Sequence, residues 1–288
     1  MTKDTPAADI YGYSPITSPR PAVGYPGDAL TYKSRCQLST TERWRDLVHE
    51  VLDTGEKVVS RGFTCLECLG VKIVVDMQLP VVLSRERKLG YRFMCAEAAW
   101  LLSGDNKVAT IAPFSKRIAS FSDDGIIFFG AYGPRILPQL AYVVKTLAED
   151  QGSRQVVAAI WRENPPKSKD VPCSLSVQWL IRDNKLHCML NMRSSDIWLG
   201  VPYDLFNFSM LSLYLLKKLP PGLALGDLHL YAGSSHLYEE NLSWATEVAG
   251  SNEVILAPFD LAVVHAAPAE KLAGTLWNLA RQKENDNV

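Results

Sequence analysis

The chain has 288 residues, enough for one large α/β domain or two small ones. Its 47% apolar and 21% charged residues are ordinary for a globular protein, and a net charge of -1 excludes a nucleic-acid or membrane surface built on bulk charge. No Lys/Arg run supplies a local basic patch, and no apolar stretch reaches the ~18 residues a membrane span requires.

Residues 1–40 are rich in Pro, Gly, Ser and Thr and are expected to form an N-terminal arm, with one folded domain over 41–288. "STTERWRDLVHEVLDTGE" predicts a helix: Thr40 or Thr41 can cap it, and Trp44, Leu47, Val48 and Val51 recur at helical spacing. "VKIVVDMQLPVVL" predicts a strand interrupted at Pro80, and "YRFMCAEAAWLLSGDN" a mostly apolar helix ending near Gly104. "PQLAYVVKTLAED" predicts an amphipathic helix. "SRQVVAAIW" reads as a strand, and "LSVQWLIRDNKLHCMLNMRS" as a pair of strands turning at Asp183-Asn184. "YDLFNFSMLSLYLLKKL" predicts a long helix closed by Pro-Pro-Gly. "GDLHLYAGSSHLY" and "NEVILAPFDLAVV" read as strands, and the tail "RQKENDNV" is polar. Helices and strands alternate without a regular βαβ cadence, and there is no Gly-rich phosphate loop or internal repeat. One α/β domain on a mixed sheet follows.

Six cysteines, with no apolar leader in "MTKDTPAADI", point to free thiols in a reducing cytoplasm. Cys65 and Cys68 form a CxxC with no second Cys or His pair at zinc spacing, so they are expected to be strand or turn residues and no metal is expected. Four other features carry chemistry. Cys173 follows Pro172 at a strand entry; it is either a packed thiol or, with cations beside it, a nucleophile. Glu97 lies on an apolar helix, either on its one solvated stripe or buried with a raised pKa and able to carry protons near neutrality. "NMRSSDIW" gathers Arg193, Ser194, Ser195 and Asp196, as a solvated turn or as a phosphate cradle. His236 and Tyr238, two apart on a strand, share a face that can meet sugar hydroxyls or simply end the strand.

Together these residues carry a resemblance. "PCSLSVQWLIRDNKLHCMLNMRSSDIWLGVPYD" resembles the signature of the thymidylate synthase family: Pro-Cys-His, a Gln-containing strand, an Arg-Ser-x-Asp turn, then Leu-Gly-Leu-Pro-Phe-Asn. "EAAWLLSGDN", "GAYG", "GSSHLY" and "SRG" are similar to further family motifs in the same order, from about residue 42 to 265. The resemblance implies the family's fold, a single domain on a mixed, mostly antiparallel sheet with flanking helices. It implies a homodimeric one-carbon transferase that takes a pyrimidine nucleoside monophosphate and 5,10-methylenetetrahydrofolate, with no metal, no membrane and no direct nucleic-acid partner. It implies that Cys173 adds to C6 of the base, that Glu97 organises proton transfer and that Tyr132 lines the pocket. Arg61, Arg193 and Ser194 would hold the 5′-phosphate, joined by Arg154 from the partner subunit. His236 and Tyr238 would face the sugar, and Asp196 and Gly200 the folate.

The chain departs from the family at three of these positions. Ser174 replaces the histidine after the nucleophile, and Gln155 replaces an arginine beside Arg154. Asp204 replaces the asparagine that matches uracil, which presents a donor at N3 and an acceptor at O4. Cytosine presents the reverse, and a carboxyl sharing a proton with N3 while accepting from N4 fits it. Asp204 therefore resembles the deoxycytidylate (dCMP/CMP) hydroxymethylases, among them the bacteriophage enzyme that serves hypermodified DNA. The expected reaction is dCMP + 5,10-methylenetetrahydrofolate + water to 5-hydroxymethyl-dCMP + tetrahydrofolate. Alternatives are dCMP methylation with dihydrofolate as product, a dUMP-directed enzyme, and a retired nucleotide-binding homologue. "KRIASFSDDG" lacks the tryptophans with which thymidylate synthase shields the methylene group, which favours hydration. Ribose versus deoxyribose, and phage DNA modification versus an antibiotic pathway, stay open, with the host or cell cytoplasm as the expected location.

Overall fold

A computed structural model describes residues 39–115, 117–251 and 259–282, which fall in one compact unit. The first helix, α1 (Thr40–Thr54), starts from a capping box in which the Ser39 hydroxyl accepts from Glu42 N and the Glu42 carboxylate accepts from Ser39 N. The cap is thus Ser39, not Thr40 or Thr41. Those two are buried in the first turn, where Thr40 Oγ1 donates to Leu79 O and Thr41 Oγ1 accepts from Leu83 N. The arm expected over 1–40 lies outside the described residues up to position 38.

Seven strands form a single sheet: β1 (Glu56–Ser60), β2 (Phe63–Asp76), β3 (Val157–Ala159), β4 (Ser174–Arg182), β5 (Lys185–Met192), β6 (Ser195–Asp196) and β7 (Ala224–Tyr238). The order is β1-β2-β7-β5-β4-β3, with β6 beside β7. Pairing is antiparallel except for β5–β7 and β6–β7. This is the single mixed, mostly antiparallel sheet that the sequence led us to expect. Two tight hairpins fix its register. Arg61 and Gly62 (φ 51° and 84°) join β1 to β2, and Asp183 and Asn184 (φ 52° and 57°) join β4 to β5.

Four further helices, α2 (Tyr91–Leu102), α3 (Leu140–Glu149), α4 (Val201–Leu216) and α5 (Leu242–Ala249), flank the sheet, followed by α6 (Leu261–Ala266) and α7 (Ala269–Arg281). α4 is buried over nearly all its length. Trp179 Nε1 on β4 donates to Ser212 Oγ on α4, so the long helix is pinned to the sheet by a satisfied polar contact inside an apolar core. Trp44 Nε1 on α1 likewise donates to Ile197 O, and its ring tilts against Trp198, 5.8 Å away.

Several expectations need correction. The strand read over "VKIVVDMQLPVVL" ends at Asp76, because residues 77–83 leave the sheet as a turn and coil, while the strand itself begins earlier, at Phe63. β1 was not read from the sequence; its "EKVVS" is mostly exposed and carries no alternation. "SRQVVAAIW" contributes only the three residues of β3. Of the strand expected over "NEVILAPFDLAVV", residues 252–258 lie outside the described set, and the rest is helix α6, whose Asp260 side chain caps Ala262 N. α7 also escaped the sequence reading. Cys65 and Cys68 lie on β2 in continuous register with β7, at an odd spacing that turns them to opposite faces. Among the described residues, no helix is long and apolar enough to cross a membrane.

Candidate active site

The loop before β4, the C-terminal half of α2, the first turns of α4, and the segment leading into the one-turn helix Gly133–Ile136 converge on a cavity of about 190 Å³. Cys173 enters from the β4 side, Glu97 from α2, Tyr132 from the Gly133 segment and Asp204 from α4. Gly133 allows this convergence: a Cβ there would come within 2.5 Å of Leu101 O on α2. The sequence therefore brings four of its candidate residues to one wall.

Cys173 is framed by Arg193. The guanidinium donates from Nε to Pro172 O and from Nη2 to Val171 O, each at 2.9 Å, and Nη2 stands 3.7 Å from Cys173 Sγ. The backbone closes the same link, Arg193 N donating to Cys173 O. Burial holds the Cys173 thiol above its ordinary value, and the Arg193 charge pulls the other way. Tyr132 Oη accepts from Ser174 N at 3.4 Å, which ties the tyrosine to the residue after the thiol. Burial also raises the Tyr132 phenol well above its usual range.

The carboxyls are shifted further. Burial pushes Glu97 up to about 7, against a hydrogen bond from Asn207 that favours the charged form. Burial, then the Glu97 and Asp196 charges, raise Asp204 well above the usual carboxylate range. Asp204 is the fourth residue of α4, beyond its N-cap Gly200, whose own amide donates to Asp196 O. Asp196 Oδ1 accepts from Trp198 N and Leu199 N, so this carboxylate organises the turn that launches α4.

His236 and Tyr238 lie together, their rings 5.1 Å apart, and Ser194 Oγ sits 3.5 Å from His236 Nδ1. Arg61 is exposed in the β1–β2 turn and reaches the Tyr238 hydroxyl. Arg61, Arg193, Ser194, His236 and Tyr238 thus gather as a polar group near Cys173, outside the lining of the cavity that Cys173, Glu97, Tyr132 and Asp204 share. Arg154 and Gln155 stand apart, exposed before β3, and neither lines the cavity of its own chain.

Sequence reasoning missed other lining residues. Asn207 is three residues beyond Asp204 on α4, the spacing that puts two side chains on one helix face. Asp170 is three before Cys173. Its Oδ2 accepts from Gly130 N at 2.7 Å, and burial raises it to about 6. Trp100, Ile118, Phe121 and Phe128 make an apolar wall. Helical spacing could have found Asn207 and Trp100. The others depend on how loops fold back, which spacing does not carry.

A second polar cluster, His187, Asp227 and His229, has its candidate ligand atoms within 4.8 Å of one another. It lies on the face of the sheet turned away from α4. His187 Nδ1 accepts from Asp227 N at 3.1 Å, so the neutral ring carries its proton on Nε2 and has no lone pair free for a metal.

A thiol under an arginine, beside a cavity lined by buried carboxyls, is an arrangement suited to covalent addition. Comparison narrows the class: a family model for thymidylate synthase matches residues 42–258, and the chain belongs to that family. The family transfers a one-carbon unit from methylenetetrahydrofolate to a pyrimidine nucleotide and is typically dimeric.

Proposed function

We propose that the protein is a folate-dependent hydroxymethylase of a cytosine nucleotide, acting on dCMP through addition of Cys173 to C6. The observation that carries this reading is Asp204 in the cavity wall beside Glu97 and Tyr132, where the family pattern has asparagine. A neutral carboxyl has one donor and one acceptor and can match either pyrimidine edge. The proton decides between them. Cytosine N3 can take the Asp204 proton, leaving a carboxylate paired with a cationic ring and accepting from N4. Uracil N3 already carries its hydrogen and has no such state. Protonation at N3 also withdraws electrons from C6 and favours attack by the thiolate.

In this reading Arg193 lowers the cost of the Cys173 thiolate and, with Arg61 and Ser194, binds the 5′-phosphate. His236 and Tyr238 hold the sugar. Glu97 holds and moves protons at the C4–C5 side of the ring. Arg154 completes the phosphate site of the partner in a homodimer. Methylenetetrahydrofolate would supply the carbon, and the donor set suits a planar pterin: Trp100, Ile118, Phe121 and Phe128 offer apolar surface, and Trp100 Nε1 is a buried donor without a protein partner among the described residues. Asp196 and Gly200 stand at the same helix start.

That wall supports a second reading. Ile118 and Phe121 come from the segment expected to leave the pocket wet, and an apolar cover favours hydride transfer and methylation over hydration. The test is incubation with methylenetetrahydrofolate and either dCMP or dUMP. Preference for dCMP, a product heavier by a hydroxymethyl group and no rise in absorbance at 340 nm are expected. Preference for dUMP sinks the cytosine reading, and a rise at 340 nm converts hydroxymethylation to methylation.

A further inference from the structure

Asn207 sits on α4 one turn beyond Asp204, 4% exposed, with its side chain in the cavity wall. Its Nδ2 donates to Glu97 Oε2 at 2.7 Å. Among the described residues this is the hydrogen bond that the Glu97 side chain receives. The other end of the amide, Oδ1, is buried and has no partner in the protein. The donor of the amide is committed to the carboxyl, and its acceptor is closed off by the surrounding protein.

We propose that Asn207 is a positioning residue of this site, holding the Glu97 carboxyl in place through Nδ2 so that it stays aimed at the bound base. The amide donor also favours the ionised carboxyl, so it opposes the burial that keeps Glu97 protonated. Ser174 stands where the family places a histidine, so that ring's nitrogens are missing from this pocket, and Asn207 supplies a side-chain donor to Glu97. The inference rests on the Cys173–Glu97 chemistry proposed above and not on which pyrimidine is bound.

The test compares wild type with Asn207→Leu, which keeps the branched shape and removes both polar groups, and with Asn207→Ser, which restores a hydroxyl. Glu97 is titrated by infrared difference spectroscopy of the carboxyl stretch, with Glu97→Gln to assign the band. In parallel, kcat and KM are followed against pH with whichever of dCMP and dUMP the wild type accepts. In Asn207→Leu the Glu97 midpoint should rise by about one pH unit. The limb of the kcat profile that Glu97 sets should move the same way. kcat itself should fall roughly 10²-fold with KM little changed, and Asn207→Ser should recover part of each. An unmoved midpoint, or a loss confined to KM, overturns the proposal. Should Asn207→Leu fail to fold, Asn207→Ala is read in its place. Should neither nucleotide be turned over, the functional reading fails, and the infrared midpoint alone decides for or against Asn207.

Discussion

Two groups of buried titrating side chains, on opposite faces of the sheet, are biased toward neutrality from opposite directions. In the cavity, burial lifts Glu97 to about 7 and Asp204 well above its usual range. On the outer face, burial lowers His187, and burial followed by the nearby Lys72 charge lowers His229 to about 4. The physics is the same: a low-dielectric site disfavours whichever form is charged. The surroundings are not. The carboxyls border a cavity beside a thiol and an arginine, so their protons have somewhere to go. The histidines are closed in by the neighbouring strand, His187 taking the Asp227 amide hydrogen and His229 leaving Nδ1 unpartnered. A shifted pKa marks burial; it marks a site only where a cavity and a reacting group adjoin it.

The sharpest way to break this contrast is at the thiol. Cys173→Ala should lower turnover by at least ~10³-fold while leaving the fold intact, because Cys173 is the one thiol among the described lining residues and the proposed reaction requires it. Stopped-flow or product assay measures it. Retention of turnover would leave the cavity no more chemical than the histidine face.

The next effect is on choice of base. Asp204→Asn should shift the ratio of kcat/KM for dCMP over dUMP toward dUMP by roughly tenfold to a hundredfold, the worth of one mismatched buried polar contact. An unchanged ratio would mean that Asp204 is raised by burial without reading the base, as the histidines are lowered without serving a site.

How far the sequence carried this reading differs between the two halves of the site. Cys173, Arg193, Asp196 and Asp204 fall within one continuous signature, and their local chemistry is legible from neighbours along the chain. Glu97 was legible as an acidic residue on an apolar helix, but helical spacing left its burial undecided. That was settled by α2 packing on α4, which brings Asn207 to it. Asp170 and Phe121 stayed invisible because a loop places the first and a single 3-10 turn, Ile118–Phe121, the second, and neither is long enough to show a period. β1 and α6 were missed or misread for a related reason. An exposed edge strand does not alternate, and a two-turn helix after an apolar run looks locally like a strand. The sheet itself was legible where hairpin turns announce it, as at Asp183-Asn184.

The smallest expected effect separates the two faces by stability alone. A carboxyl raised from 4.5 to about 7 binds more protons folded than unfolded, so its contribution to stability is full below 4.5 and is lost as pH rises toward 7. A histidine lowered from 6.5 to about 4 binds fewer protons folded, so its contribution is full above 6.5 and is lost as pH falls toward 4. Between these limits the two slopes oppose and partly cancel in the wild type. Glu97→Gln removes the falling term, so its melting temperature relative to wild type should climb as pH rises from 4.5 to 7. His229→Phe removes the rising term, so its melting temperature relative to wild type should drop from pH 4 to 6.5, with turnover retained. Thermal scans at half-unit pH steps suffice. Difference curves sloping the same way would show that one of the two groups is not neutralised by burial, and the symmetry between the faces would fail there.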